Sequence, residues 1–107
     1  MTTATKSMEV RHQNGSYALR PSNLVDSKAL AASTAESFTV PDNAFYVLFS
    51  ATADFYVNYT TTAIVAVDNV AGTAPELNPT MRIINDVTTI SVISAADCIV
   101  TVSWYLE

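Results

Sequence analysis

The chain has 107 residues, enough for one domain with a core of its own. Half of it is apolar, which excludes disorder as its overall state, yet charged residues make up only 14%, against about 25% in ordinary soluble domains. Five Lys and Arg stand against ten Asp and Glu, for a net charge of −5. That balance argues against gripping nucleic acid or an anionic membrane, which both need dense positive charge.

Residues 1–35 read as a less regular N-terminal arm. They hold four of the five cations (Lys6, Arg11, Arg20, Lys28) and the single histidine, His12. Met8-Glu9-Val10-Arg11-His12 reads as a strand, Asn14-Gly15 as a tight turn and Tyr17-Ala18-Leu19-Arg20 as the return, together a short hairpin. Beyond Pro21 the chain turns Ala-rich. Lys28-Ala29-Leu30-Ala31-Ala32 suits a helical turn capped by Ser27, and an Ala/Ser loop equally well. The first nine residues lack the apolar stretch of a secretory leader, and no apolar run approaches ~20 residues. The expectation is a soluble product made in the cytoplasm.

Residues 36–107 have a period of two and read as one β-sandwich domain. Phe38 and Val40 face one way, with Ser37 and Thr39 opposite. Pro41-Asp42-Asn43 makes a turn. Phe45, Val47 and Phe49 alternate with Tyr46 and Leu48, so this strand is apolar on both faces and central. Phe55, Val57 and Tyr59 alternate with Tyr56, Asn58 and Thr60 in a half-buried strand. Ile64-Val65-Ala66-Val67 reads as a short strand, residues 68–75 as a loop broken by Gly72 and Pro75, and Met81-Arg82-Ile83-Ile84 as a further strand. In the last strand Cys98, Val100, Val102, Trp104 and Leu106 share one face.

One phrase occurs twice. Val47-Leu48-Phe49-Ser50-Ala51-Thr52-Ala53-Asp54-Phe55-Tyr56-Val57 and Val92-Ile93-Ser94-Ala95-Ala96-Asp97-Cys98-Ile99-Val100 both run apolar, small-residue corner, Asp, apolar. Each reads as a β-hairpin whose corner Asp accepts hydrogen bonds from backbone amides. Seven or eight short strands without crossover helices predict an all-β fold, an antiparallel two-sheet β-sandwich. The repeated phrase hints at a jelly roll.

Reactive chemistry finds little footing. Cys98 is the only cysteine, lies in a strand pattern and reads as a buried small hydrophobe. There is no Gly-rich phosphate loop, no calcium loop, no zinc spacing and no nucleophile elbow, so no catalytic residue, cofactor or metal is expected. The candidate interface residues are Arg11, Arg20, Arg82, Tyr46, Tyr56 and Tyr105: cations able to pair across a contact, and tyrosines on outward positions. Arg82 has a simpler fate as well, an internal salt bridge to Glu76. The outward tyrosines also suit sugar stacking, although a cross-strand ladder or an interface is the plainer use.

The run Glu36-Ser37-Phe38-Thr39-Val40-Pro41, the first copy of the repeated phrase, Glu76-Leu77-Asn78-Pro79-Thr80-Met81-Arg82 and Ile90-Ser91-Val92-Ile93-Ser94-Ala95 resemble small β-sandwich virion proteins of tailed bacteriophages. The likeness spans residues 36–107 and is one of phrase, with no catalytic motif in it. It implies a virion structural part, foremost a capsid decoration (cement) protein that sits on the shell as a homo-oligomer and braces the major capsid protein. A head–tail connector, a tail component and a carbohydrate-binding host-attachment module are the alternatives.

Overall fold

A computed structural model describes residues 21–106 in full and, among the first twenty, the backbone of three short strands, β1 (Thr5–Lys6), β2 (Met8–Val10) and β3 (Tyr17–Leu19). Eight further strands follow: β4 (Val25–Leu30), β5 (Glu36–Thr39), β6 (Tyr46–Ala51), β7 (Tyr56–Asn58), β8 (Glu76–Leu77), β9 (Met81–Ile83), β10 (Thr89–Ile93) and β11 (Cys98–Leu106). They build two antiparallel sheets. The first runs β4-β11-β6-β9 and the second β5-β10-β7-β8. β1 adds a short parallel pairing on the β4 side of β11, at Tyr105 and Leu106. β2 and β3 pair with each other as an antiparallel hairpin. The Asn14-Gly15 turn expected between them lies outside the described residues.

This order is that of a jelly roll, in which one long two-stranded ribbon is folded over itself. β4 pairs with β11, β5 with β10, β6 with β9 and β7 with β8. The outer two ladders keep a single register. Leu30 faces Cys98 in the first sheet, and Glu36, six residues on, faces Val92, six residues back, in the second. The corners at 31–35 and 94–97 therefore bend together. The Ser33 N–H donates to Ser94 O at 2.7 Å, and the Ala32 N–H donates to Asp97 Oδ1 at 3.0 Å.

The two copies of the repeated phrase are not hairpins. β6 and β7 lie in different sheets, and so do β10 and β11. Each corner is an arch that carries the chain from one layer to the other. A true hairpin would pair its own two strands. Here β6 pairs with β11 and β7 with β10, so each strand of a phrase has one of its hydrogen-bonding partners in the other copy. The arches also brace one another: the Thr52 N–H donates to Ile99 O, the Ile99 N–H to Thr52 Oγ1, and Ser94 Oγ donates to Asp54 O at 2.7 Å. Small residues recur in these corners because two chains cross there in contact.

Two expected elements are replaced. The helical turn at residues 28–32 is absent. Residues 25–30 are strand β4, in register with β11 over six residues, because that ladder satisfies the backbone and lets Leu30 enter the core. The sandwich thus takes in β4 as well as residues 36–106. The strand expected at residues 64–67 is loop. Its approach is pinned by side chains: the Thr60 and Thr61 N–H groups donate to Asn58 Oδ1, and the Ala63 N–H donates to Ser91 Oγ at 2.9 Å. Ile64 and Val67 are left exposed.

The core lies between the sheets. Val47 and Phe49 of β6, Val57 of β7, Ile90 and Val92 of β10, and Val100, Val102 and Trp104 of β11 fill it, with Leu30, Phe38, Phe55 and Ile84 at its margins. Each such side chain contributes about 1.5–3 kcal/mol through burial. Trp104 is fully enclosed, and its indole Nε1–H donates to Asp26 Oδ2 at 2.8 Å, which satisfies the polar end.

Candidate functional site

The most polar cluster lies on the open flank where edge strands β9 and β8 approach. Register explains its composition. Arg82 faces the buried Val47, and Glu76 faces the buried Val57, so both side chains point to the inner side of their sheets. Tyr59 shares the parity of Val57 just beyond β7. The three meet. Arg82 Nε donates to both oxygens of Glu76 at 3.2 Å, Nη2 donates to Oε2 at 3.1 Å, and the Tyr59 hydroxyl donates to Oε1 at 2.8 Å. The guanidinium also donates through Nη1 to Met81 O at 2.7 Å. A cleft of about 410 Å³ opens beside them, lined by Val57, Asn58, Thr73, Ile83 and Val87.

The electrostatics are those of a closed clamp. Burial pushes the Tyr59 phenol above its ordinary value, and the hydrogen bond and charge of Glu76 add to that. For Glu76 burial pulls upward, but the hydrogen bonds from Arg82 and Tyr59 and the Arg82 charge outweigh it, and its carboxyl sits below the ordinary value. Hydrogen bonding to Glu76 raises Arg82. A carboxylate held by several donors is a poor base, and a phenol donating to it is a poor nucleophile. The arrangement fastens the flank of the sandwich.

Arg82 therefore has the internal salt bridge as its partner. Tyr46 and Tyr105 face one another across β6 and β11 on the outward side of the first sheet, with Tyr46 half-buried and Tyr105 only 3% exposed. Tyr56 belongs to the second sheet, on the outward side beside Ile93 and Leu77. The three tyrosines thus form no common platform. Arg11 and Arg20 lie outside the described residues. Asp97 accepts a backbone N–H as a corner Asp should, though from Ala32 of the adjoining corner. Asp54 takes Asn78 Nδ2 at 2.9 Å instead. Cys98 is buried against Ala53 O.

Two groups escaped the sequence reading. Asn78, with φ +48°, ties β8–β9 to the first arch. The Phe55 N–H donates to its Oδ1, and its own N–H donates to Phe55 O, both at 2.9 Å. An Asn before Pro was the available signal, since Asn tolerates left-handed backbone. The second is the outward face of the first sheet. Val25 and Ile99 are half exposed there and Ile83 more so, beside the partly buried Tyr46, Leu48 and Met81. Among the described residues no three His, Cys, Asp or Glu side chains gather to hold a metal. Among the described residues no helix is long and apolar enough to cross a membrane. No protein-family model, curated protein sequence or solved structure matches the chain.

Proposed function

We propose that this chain is a bacteriophage virion structural protein, a decoration protein that binds the assembled capsid and braces it. The observation that carries the reading is the outward face of the first sheet, where Ile83 is exposed beside Tyr46, Val25 lies across Ser103 from Leu48, and Ile99 is exposed farther along β11. Patches of this kind suit docking to a protein surface. Three further points support it. The phrases at residues 36–107 resemble phage β-sandwich proteins, the jelly roll is an architecture shared by viral capsid and lectin domains, and the Glu76 carboxylate is engaged by Arg82 and Tyr59.

The physical action is linkage. A protein that binds the closed lattice better than free capsid subunits stabilises the lattice by mass action and needs no catalytic step. The partners in this reading are the major capsid protein and further copies of the chain, and the place is the capsid exterior. The test is quantitative mass spectrometry of purified particles from a phage that encodes the chain. Hundreds of copies per particle are expected. A dozen or fewer would point to a head–tail connector or tail part, and absence from the particle would overturn the reading. A carbohydrate-binding attachment module draws less support, because Tyr46 and Tyr56 belong to different sheets and Tyr105 is covered.

A further inference from the structure

The β4 edge is a self-complementary strand. β11 occupies one side of β4, and no strand among the described residues pairs with the other side. The Trp104 N–H donates to Leu24 O, which fixes the phase of the β4–β11 ladder. Bonded pairs in an antiparallel ladder recur every second residue. Residues 24, 26, 28 and 30 therefore bond to β11, and the N–H and C=O groups of Val25, Ser27 and Ala29 point to the side on which no described strand pairs.

Side chains alternate between the two faces of β4. Asp26, Lys28 and Leu30 face Val102, Val100 and Cys98, all buried, so they lie on the inner side, while Val25, Ser27 and Ala29 lie on the outer side. The inner row reads Leu24, Asp26, Lys28, Leu30. A second copy related by a two-fold axis through Ser27 presents the same row reversed. Each Asp26 then faces a Lys28, each Leu24 faces a Leu30, and each exposed Val25 covers an Ala29. Ser27 meets its own copy at the axis. All three outward N–H groups and all three outward C=O groups of each strand find partners. The charged residues fall at the non-hydrogen-bonded positions, where facing side chains come closest. Shifting the register by two residues either way faces Lys28 with Lys28 or Asp26 with Asp26 and leaves outward groups unpaired. Inward charges on an edge usually repel intruders. Here they reject every neighbouring register and accept one.

We infer that β4 is a homodimer interface: two copies pair antiparallel along residues 24–30, Ser27 on Ser27, and join their first sheets into one continuous sheet. The inference does not rest on the capsid reading. A failed dimer leaves that reading standing, and an absent capsid leaves this one.

Sedimentation velocity of the full chain tests it, with circular dichroism to check folding. The wild type is expected to dimerise. Lys28→Asp keeps the Trp104–Asp26 bond and faces Asp with Asp twice, so it should weaken dimerisation by about tenfold or more. Asp26→Lys should do the same, and an equimolar mixture of the two variants should form a heterodimer, since every facing pair is then opposite in charge. Ser27→Pro, which removes an outward N–H at the axis, should also give monomers. It carries the test with Lys28→Asp should Asp26→Lys fail to fold. A wild type that stays monomeric at the highest concentration reached would overturn the inference. So would a dimer indifferent to Lys28→Asp and Ser27→Pro, or two folded charge variants that do not recombine.

Discussion

Replacing Asn78 with Ala tests how the first arch is held. The Oδ1 atom is the acceptor for the Phe55 N–H, a partly buried bond of 2.9 Å, and Nδ2 donates to Asp54. Removing Oδ1 strands the amide. The usual penalty for a buried unpaired donor is about 1–3 kcal/mol, and partial access to water puts this one near about 1–2. The backbone at φ +48° adds a second penalty, because an Ala Cβ in the left-handed region costs about 1 kcal/mol. The expected loss is about 2–3 kcal/mol for Asn78→Ala. Asn78→Gly escapes the second penalty and should lose about 1 kcal/mol less. Urea unfolding followed by tryptophan fluorescence measures both. With a slope of about 1.5 kcal/mol/M, the Ala variant's midpoint should fall by roughly 1.3–2 M. An Ala variant within about 0.5 kcal/mol of wild type, the range of ordinary surface changes, would refute the reasoning. A Gly variant as unstable as the Ala variant would refute the backbone part alone.

Two other expectations concern the core and the flank. Trp104→Phe removes the pyrrole part of a fully buried indole and its bond to Asp26, for a loss of about 2–3 kcal/mol, visible as a drop in Tm of roughly 10 °C or more by calorimetry. The Glu76 carboxyl is held low, so its share of stability is present above its ordinary value of 4.5 and is lost as pH falls below that. Both ends of the ion pair are about two-fifths exposed, which limits that share to under about 1 kcal/mol. Stability measured against pH should show Glu76→Gln lacking this acid-side fall, and an identical profile would count against the clamp. At the alkaline end the raised phenol of Tyr59 contributes stability below its ordinary value of 10.0 that fades as pH climbs past it, and Tyr59→Phe should not share that loss.

Alternation told the layers apart. Val100, Val102 and Trp104 against Thr101 and Ser103 gave the inner face of β11, and Phe45 to Phe49 gave a central strand, because burial on one or both faces is a local property of spacing. Connectivity was not local. Ser94-Ala95-Ala96-Asp97 suits a hairpin and an arch alike, and only the pairing of β10 with β7, thirty-odd residues earlier, decides. β4 was missed because Lys28-Ala29-Leu30-Ala31-Ala32 are helix-favouring residues behind a possible Ser27 cap, and the six-residue ladder with β11 overrides that weak preference. The Arg82–Glu76 pair was legible from spacing across a Pro corner. The part Tyr59 plays in it was hidden, although its parity with Val57 pointed inward.

The crossed arches carry a consequence for how the molecule comes apart. Since each phrase gives one strand to each layer and pairs both with strands of its counterpart, the central ladders of the two layers are tied together through the same two arches. Losing β7 strips β10 of a neighbour, and β10 continues straight into β11, the spine of the other sheet. Opening should therefore be all or nothing across both layers, with amides of Val57 and Val102 exchanging through the same global event.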